Sequence, residues 1–151
     1  MTNEELIAYL TTSFPQTEVI LGSQYVEMTV SEAQYHSVAL QLKESKDSSF
    51  DYLFCLSGVD YAENMGVICH LESIKHRHAM VLKVRTADRI NPSLDTISDI
   101  WITAKYHERE IFDLLGIKFN NHTDLRRLFL EDGWGFPLRK DYVDEIRIVE
   151  R

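Results

Sequence analysis

Apolar residues recur at helical spacing in three stretches of the chain, and particular polar residues mark where each stretch begins or ends. Thr2 and Glu5 have the spacing of a capping box, in which side chains bond the first free backbone amides of a helix. Ser31 and Gln34 repeat this spacing ahead of the second stretch. Gly116 follows the third, at a position where a left-handed glycine commonly ends a helix. The predicted helices cover residues 3–14, 32–44 and 99–115.

Between these stretches apolar and polar residues alternate, which is typical of strands with one buried face. In residues 78–86, for instance, Met80, Leu82 and Val84 fall on one face and Lys83 falls on the other. The pattern therefore predicts two short strands within 18–30, divided by a turn near Gly22–Ser23, and three more strands over 50–61, 67–74 and 78–86.

This order of elements predicts an α+β fold with two layers, α-β-β-α-β-β-β-α, around a mixed or antiparallel sheet. The character of the chain changes after Gly116, because residues 117–151 contain Gly133, Gly135 and Pro137 and only short apolar clusters. A segment of this composition buries itself poorly. We therefore predict an α+β domain over 1–116 and an extended C-terminal arm over 117–151 that binds a partner protein.

Length and charge narrow the range of possible partners. The 151 residues fit one domain, and their formal net charge of -8 disfavours nucleic acid as a partner because phosphate binding needs basic surfaces. The acidic N-terminal segment does not fit a signal peptide. No stretch approaches 18 uninterrupted apolar residues, so we expect any link to a membrane to pass through a partner.

Residues that could carry chemistry are few and scattered. The sequence contains neither GxGxxG nor GxxxxGK[ST], the glycine-rich motifs that hold phosphates. Cys55 and Cys69 are too few to ligate an iron–sulfur cluster, and we expect both to be reduced. His76 and His78 would share one face of a strand, but no third metal ligand is evident. An enzyme that relies on Cys55, His76 or His78 is thus the weaker alternative.

The third predicted helix carries an unusual run of charges. Arg109 and Asp113 lie one turn apart and could pair. Glu108, Arg109 and Glu110 are consecutive and fan over a wide arc, so we expect at least one of them to point into the protein. The alternative is a solvated charged face, which is what most charge runs form.

The predicted arm carries two further clusters of residue types that favour binding. Residues 124–127 bring an acid and two arginines together, and residues 134–142 alternate aromatic, glycine, proline and charged residues. Tryptophan, tyrosine and arginine are enriched among the residues that dominate protein interfaces.

Residues 107–142 resemble the signature of the 30-kDa (C) subunit of NADH:quinone oxidoreductase, respiratory complex I. That signature runs ERExxD, two apolar residues, GIxF, a histidine, DLRR, a tryptophan and PLRKD, and this chain keeps nearly all the spacings. It departs from the pattern at Phe136, where histidine is frequent. The predicted partner-binding residues are the matching positions Glu108, Arg109, Glu110, Asp113, His122, Arg126, Arg127, Trp134, Pro137, Arg139, Lys140 and Asp141.

The resemblance implies a non-catalytic subunit that holds no cofactor and binds the 49-kDa (D) subunit near the quinone site of a proton-translocating enzyme. NADH, FMN, iron–sulfur clusters and quinone would belong to partner subunits, and neighbouring iron–sulfur subunits would be further contacts. The protein would lie on the cytoplasmic face of the bacterial inner membrane, attached only through the complex. The alternative is the equivalent subunit of a membrane-bound [NiFe] hydrogenase or another complex I-like enzyme.

Overall fold

A computed structural model describes residues 1–144, and it contains three helices and seven strands in the predicted order, with two short strands added. The helices are α1 (Asn3–Ser13), α2 (Tyr35–Glu44) and α3 (Ala104–Leu115), and a 3-10 turn (Glu32–Gln34) precedes α2. The strands are β1 (Glu18–Leu21), β2 (Val26–Val30), β3 (Tyr52–Asp60), β4 (Met65–Ser73), β5 (His78–Arg85), β6 (Ser93–Asp95) and β7 (Lys118–Asn120).

The five longer strands form one mixed sheet in the order β1-β2-β5-β4-β3. Neighbouring strands are antiparallel except β2 and β5, which run parallel with Met28 opposite Leu82. Alternate side chains of β5 point into the core, as predicted: Met80, Leu82 and Val84 are buried and Lys83 is half-buried on the other side. The α+β fold with a mixed sheet is therefore confirmed.

The structure agrees with the predicted start of the first helix and differs at the other two. At α1 the capping box forms, because Thr2 Oγ1 accepts from the Glu5 amide at 3.3 Å and the Glu5 carboxylate accepts from the Thr2 amide at 2.8 Å. Before α2, Ser31 instead donates to the Gln34 side chain at 2.9 Å, and the 3-10 turn replaces the first turn of the predicted helix. The third helix begins at Ala104 rather than at 99, since the preceding residues form tighter turns.

Close packing between α3 and β3 fixes the position of that helix on the sheet. Ile111 and Leu115 are buried, and both lie over Gly58 of β3. A Cβ atom at Gly58 would lie 2.5 Å from Leu115 Cδ1 and 2.8 Å from Ile111 Cγ2. The glycine therefore lets the helix approach the strand, and Gly116, with φ 75°, ends the helix as predicted.

The polypeptide does not leave the domain immediately after α3. Ile117 and Phe119 are buried in the main hydrophobic cluster, and β7 pairs in parallel with β6, a short strand between β5 and α3 that was not predicted. Residues 121–144 then form turns and bends on the surface, and we call them the arm segment. The last seven residues of the predicted arm lie outside the described residues, and the division between 116 and 117 stays a prediction.

The two histidines considered as metal ligands, His76 and His78, hold the loop between α2 and β3. His76 lies in the turn between β4 and β5, not in a strand as predicted, and its ring stacks on that of His78 with centroids 5.7 Å apart. Each ring donates an N–H at 2.9 Å to a carbonyl oxygen, of Lys46 and Ser48 respectively. Within residues 1–144 no group of three or more His, Cys, Asp or Glu side chains is arranged to hold a metal ion.

Candidate functional site

Glu108 is one of three buried charged residues of α3, together with Arg109 and Asp113. Its side chain is fully buried, and its two oxygens face Thr96 Oγ1 at 2.5 Å and the Ile97 amide at 2.8 Å. Burial raises the pKa of Glu108 to about 7, although these two hydrogen bonds partly oppose the shift. The carboxyl group thus connects α3 to the backbone that follows β6.

His122 packs against the buried carboxyl group of Glu108. Its side chain is fully buried, and its Nε2 lies 3.0 Å from the Lys105 carbonyl oxygen and 3.7 Å from Glu108 Oε2. Its Nδ1 accepts a hydrogen bond from the Asp124 amide at 3.0 Å, so the ring proton must be on Nε2. Through these hydrogen bonds the imidazole orders the start of the arm segment.

Arg109 and Asp113 do not pair with each other, contrary to the sequence-based prediction. Arg109 donates from Nε to the carbonyl oxygen of Arg126 at 3.2 Å and from Nη2 to that of Arg127 at 2.9 Å. Both α3 side chains turn to the arm segment, because its backbone groups lie outside any strand or helix and need partners.

Asp113 is fully buried, and its carboxylate accepts hydrogen bonds from the next three backbone amides of the arm segment. Its Oδ2 receives hydrogen bonds from Leu128, Phe129 and Leu130 at 3.2, 2.7 and 3.1 Å. Its Oδ1 receives Arg127 Nη1 at 2.9 Å. Burial alone would raise the pKa of Asp113, but the Phe129 amide, the Arg127 guanidinium and the other two amides outweigh it and lower the pKa.

Two arginines of the signature hold the later part of the arm segment. Arg127 Nη2 donates to the Gly135 carbonyl oxygen at 2.9 Å, and Arg139 Nε donates to that of Leu115 at 2.7 Å. Both guanidinium groups also lie near the ring of Phe136, 5.4 and 4.9 Å from its centroid. Phe136, a residue type that is unusual at this position of the signature, thus packs against the guanidinium groups of both arginines.

The remaining predicted residues lie nearer the surface. The Arg126 side chain is 66% exposed and bonds Asp124 at 2.9 Å, while Glu110 and Pro137 are half-buried. Trp134, Lys140 and Asp141 are exposed. The signature therefore divides into an inner set that holds the arm segment against α3 and an outer set that lies nearer the surface. The proposed role of both sets in binding a partner stays a prediction.

The arm segment also presents large apolar side chains to the outside. Phe129, Leu138 and Val143 are 68, 59 and 67% exposed, and Trp134 is 36% exposed. Single exposed apolar residues are common on protein surfaces, and here four of them lie on one short segment whose backbone is held in place.

The sequence analysis missed two residues that contact the arm segment from the domain. Asp60, the last residue of β3, accepts a hydrogen bond from the Lys140 amide at 2.8 Å, and Arg89 contacts Asp141 at 3.2 Å. The only signal for Asp60 was an acidic residue at the end of a predicted strand, and Arg89 lies between the predicted elements 78–86 and 99–115. Among residues 1–144, no helix has the length and apolar composition needed to cross a bilayer.

Known proteins have sequences similar to that of this chain. The C subunit of the NADH-quinone oxidoreductase of Roseiflexus castenholzii is 35% identical over 147 residues, which cover 92% of this chain and 83% of the relative. The C/D subunit of the same enzyme from Phocaeicola vulgatus is 44% identical over 113 residues, which cover 74% of this chain. The chain spans 21% of the length of that C/D protein and 46% of the C subunit from Chloroherpeton thalassium.

A solved structure shares the fold. A chain of the membrane-bound sulfane sulfur reductase, an archaeal respiratory membrane complex, matches with a TM-score of 0.80 over 97% of this chain and 88% of that one, at 22% identity. The family model for the 30-kDa subunit of respiratory-chain NADH dehydrogenase matches residues 28–146, which include α3 and the whole arm segment. The resemblance predicted from the signature is confirmed, and the chain belongs to the family of the respiratory-chain NADH dehydrogenase 30-kDa subunit.

Proposed function

We propose that this protein is the C-type subunit of a complex I-like quinone oxidoreductase and that its arm segment binds the 49-kDa (D) subunit near the quinone site. The observation that supports this most directly is the arm segment itself. Its backbone is held against the domain by Arg109 and Asp113, whereas Phe129, Leu138 and Val143 face outward. Apolar side chains on a fixed backbone lose little entropy when a partner covers them.

The relatives that are named as C/D subunits support the same partner. In a protein such as that of Phocaeicola vulgatus, a segment similar to this chain shares one polypeptide with a D part. Two parts of one polypeptide are held at high effective concentration, which suits parts that bind each other. We propose that this chain makes the corresponding contact with a D part.

The proposed role is positional and involves no redox step on this chain. NADH, FMN, iron–sulfur clusters and quinone would be bound by partner subunits, and neighbouring iron–sulfur subunits would complete the surroundings. The protein would be peripheral, attached to the cytoplasmic face of a bacterial inner membrane only through the assembled complex.

Co-expression with the D-type subunit encoded in the same genome tests this proposal. The two chains should elute together in size-exclusion chromatography. Leu138→Asp should weaken the complex by about tenfold or more, because it places a charge on the proposed interface. The matched control is Ile74→Asp, since Ile74 is 63% exposed but lies in the turn between β4 and β5. Separate elution of the unmodified chains would refute the proposal.

The hydrogenase alternative predicts a different partner for the same surface. There the large subunit that co-purifies would contain nickel, whereas a complex I-like partner set would include a flavoprotein that oxidises NADH. Metal analysis of the purified complex separates the two. The names of the relatives favour the NADH-dependent enzyme.

A further inference from the structure

The arm segment has a second attachment to the domain at Asp60, the last residue of β3. Asp60 is only 4% exposed there, and its carboxylate is fully occupied. Oδ1 accepts from Arg89 Nη1 at 2.5 Å and from the Ala62 amide at 2.8 Å. Oδ2 accepts from Arg89 Nη2 at 3.0 Å and from the Lys140 amide at 2.8 Å. A bidentate arginine–carboxylate pair thus receives one backbone amide from the arm segment.

Arg89 extends this contact to a second arm residue. Its Nη2 lies 3.2 Å from Asp141 Oδ1, so the guanidinium joins one acid of the domain to one of the arm segment. The bonded positions 60 and 140 are 80 residues apart in sequence. The pair therefore fixes a loop that local structure would not hold by itself.

The position of this contact along the arm segment gives it a role in binding. Leu138 and Val143, two of the exposed apolar residues, lie on either side of residues 140–141. The Leu138 amide bonds the Leu114 carbonyl oxygen at 3.0 Å, and Tyr142 closes a turn onto Arg139 at 3.1 Å. Asp60 and Arg89 thus fix the backbone that lies between these two outward apolar residues.

We propose that Asp60 and Arg89 are positioning residues that hold residues 138–143 in the conformation that binds the D-type subunit. This inference rests on the proposed function, and it concerns two residues that lie outside the signature. Preorganisation of this kind raises affinity because less of the chain has to be ordered during binding. Neither residue needs to touch the partner, since both act through the backbone of Lys140 and the side chain of Asp141.

The test compares Asp60→Asn with Asp51→Asn in the full chain. Asp51 is a suitable control because its carboxylate also accepts a long-range backbone amide, that of Ile74 at 2.9 Å, but at the opposite end of β3. Hydrogen exchange of the Lys140 amide, followed by NMR, reports directly on the contact. Binding to the purified D-type subunit reports on its consequence.

We expect Asp60→Asn to speed exchange at Lys140 and to weaken binding by on the order of tenfold, while Asp51→Asn leaves both near the parent values. Arg89→Gln should reproduce both effects, and it serves as the test if Asp60→Asn does not fold. Faster exchange with unchanged affinity would overturn the inference and leave the proposed function standing. Failure of the parent chain to bind would instead overturn the proposed function. Unchanged exchange at Lys140 in either variant would also overturn the inference.

Discussion

At the scale of single residues, the buried carboxyl group of Glu108 makes the stability of the fold depend on pH. Its pKa of about 7 in the folded protein lies above the ordinary value of 4.5, so the folded state favours the protonated form. The resulting stabilisation is complete below pH 4.5 and is lost as the pH rises through 7. We expect Glu108→Gln to remove on the order of 3 kcal/mol of this pH dependence.

Urea denaturation at several pH values between 5 and 8 measures the effect. The free energy of unfolding of the parent should fall across this range, and that of Glu108→Gln should stay closer to constant. Glu110→Gln is the matched control, because Glu110 is the other acid of the same run but is only half-buried. Equal slopes for the parent and Glu108→Gln would contradict the prediction.

The sequence predicted that at least one of three consecutive charged residues points inward, but it could not identify Glu108 and Arg109 as the buried ones. Consecutive helical residues point about 100° apart, so the choice depends on where the sheet lies. Pairing of Arg109 with Asp113 had the right spacing and was still wrong. Each side chain binds backbone groups of residues 126–130 instead, and a local rule cannot anticipate a segment that returns from further along the chain.

At the scale of elements, α3 connects the sheet to the arm segment, and Asp113 is its most connected side chain. Asn in its place keeps one acceptor oxygen but loses the charge that faces three amides and Arg127. We expect Asp113→Asn to lower the free energy of unfolding by about 3 kcal/mol. Because the pKa of Asp113 is lowered in the folded protein, this loss should shrink at acid pH, as the parent carboxylate becomes protonated.

Chemical denaturation at pH 7 and pH 3 would measure the change. Asp132→Asn supplies the comparison, since Asp132 also approaches Arg127, at 3.9 Å, but its side chain is fully exposed. A similar stability loss for the two variants would show that burial of Asp113 contributes little.

Long elements were predictable from periodicity, and short ones were not. The five sheet strands and the three helices follow from alternating or helical spacing of apolar residues. In β6 and β7, by contrast, Leu94 and Phe119 are the single inward residues of three-residue strands, so neither strand shows an alternation. Their parallel pairing depends on α3 bringing the two segments together, which is tertiary information.

At the scale of the whole molecule, charge is distributed unequally between the domain and the arm. Residues 117–151 hold seven basic and seven acidic side chains, so the whole net charge of -8 belongs to residues 1–116. A balanced segment with exposed apolar residues is easier to desolvate against a partner than the acidic domain surface. This asymmetry is consistent with binding through the arm, and it was available from the sequence.

The division of the signature into inner and outer residues predicts that two substitutions in the arm will separate assembly from stability. Arg139→Ala removes the hydrogen bond to Leu115 and the contact with Phe136, so it should destabilise the free chain by about 2 kcal/mol and weaken assembly as well. Trp134→Ala truncates a side chain that is 36% exposed, so it should weaken assembly and lower the Tm of the free chain less than Arg139→Ala does. Thermal denaturation of each variant, paired with its recovery in complex with the D-type subunit, distinguishes the two. If Trp134→Ala lowered the Tm as much as Arg139→Ala did, both would have to be structural residues of the arm, and the outward set would be smaller than we infer.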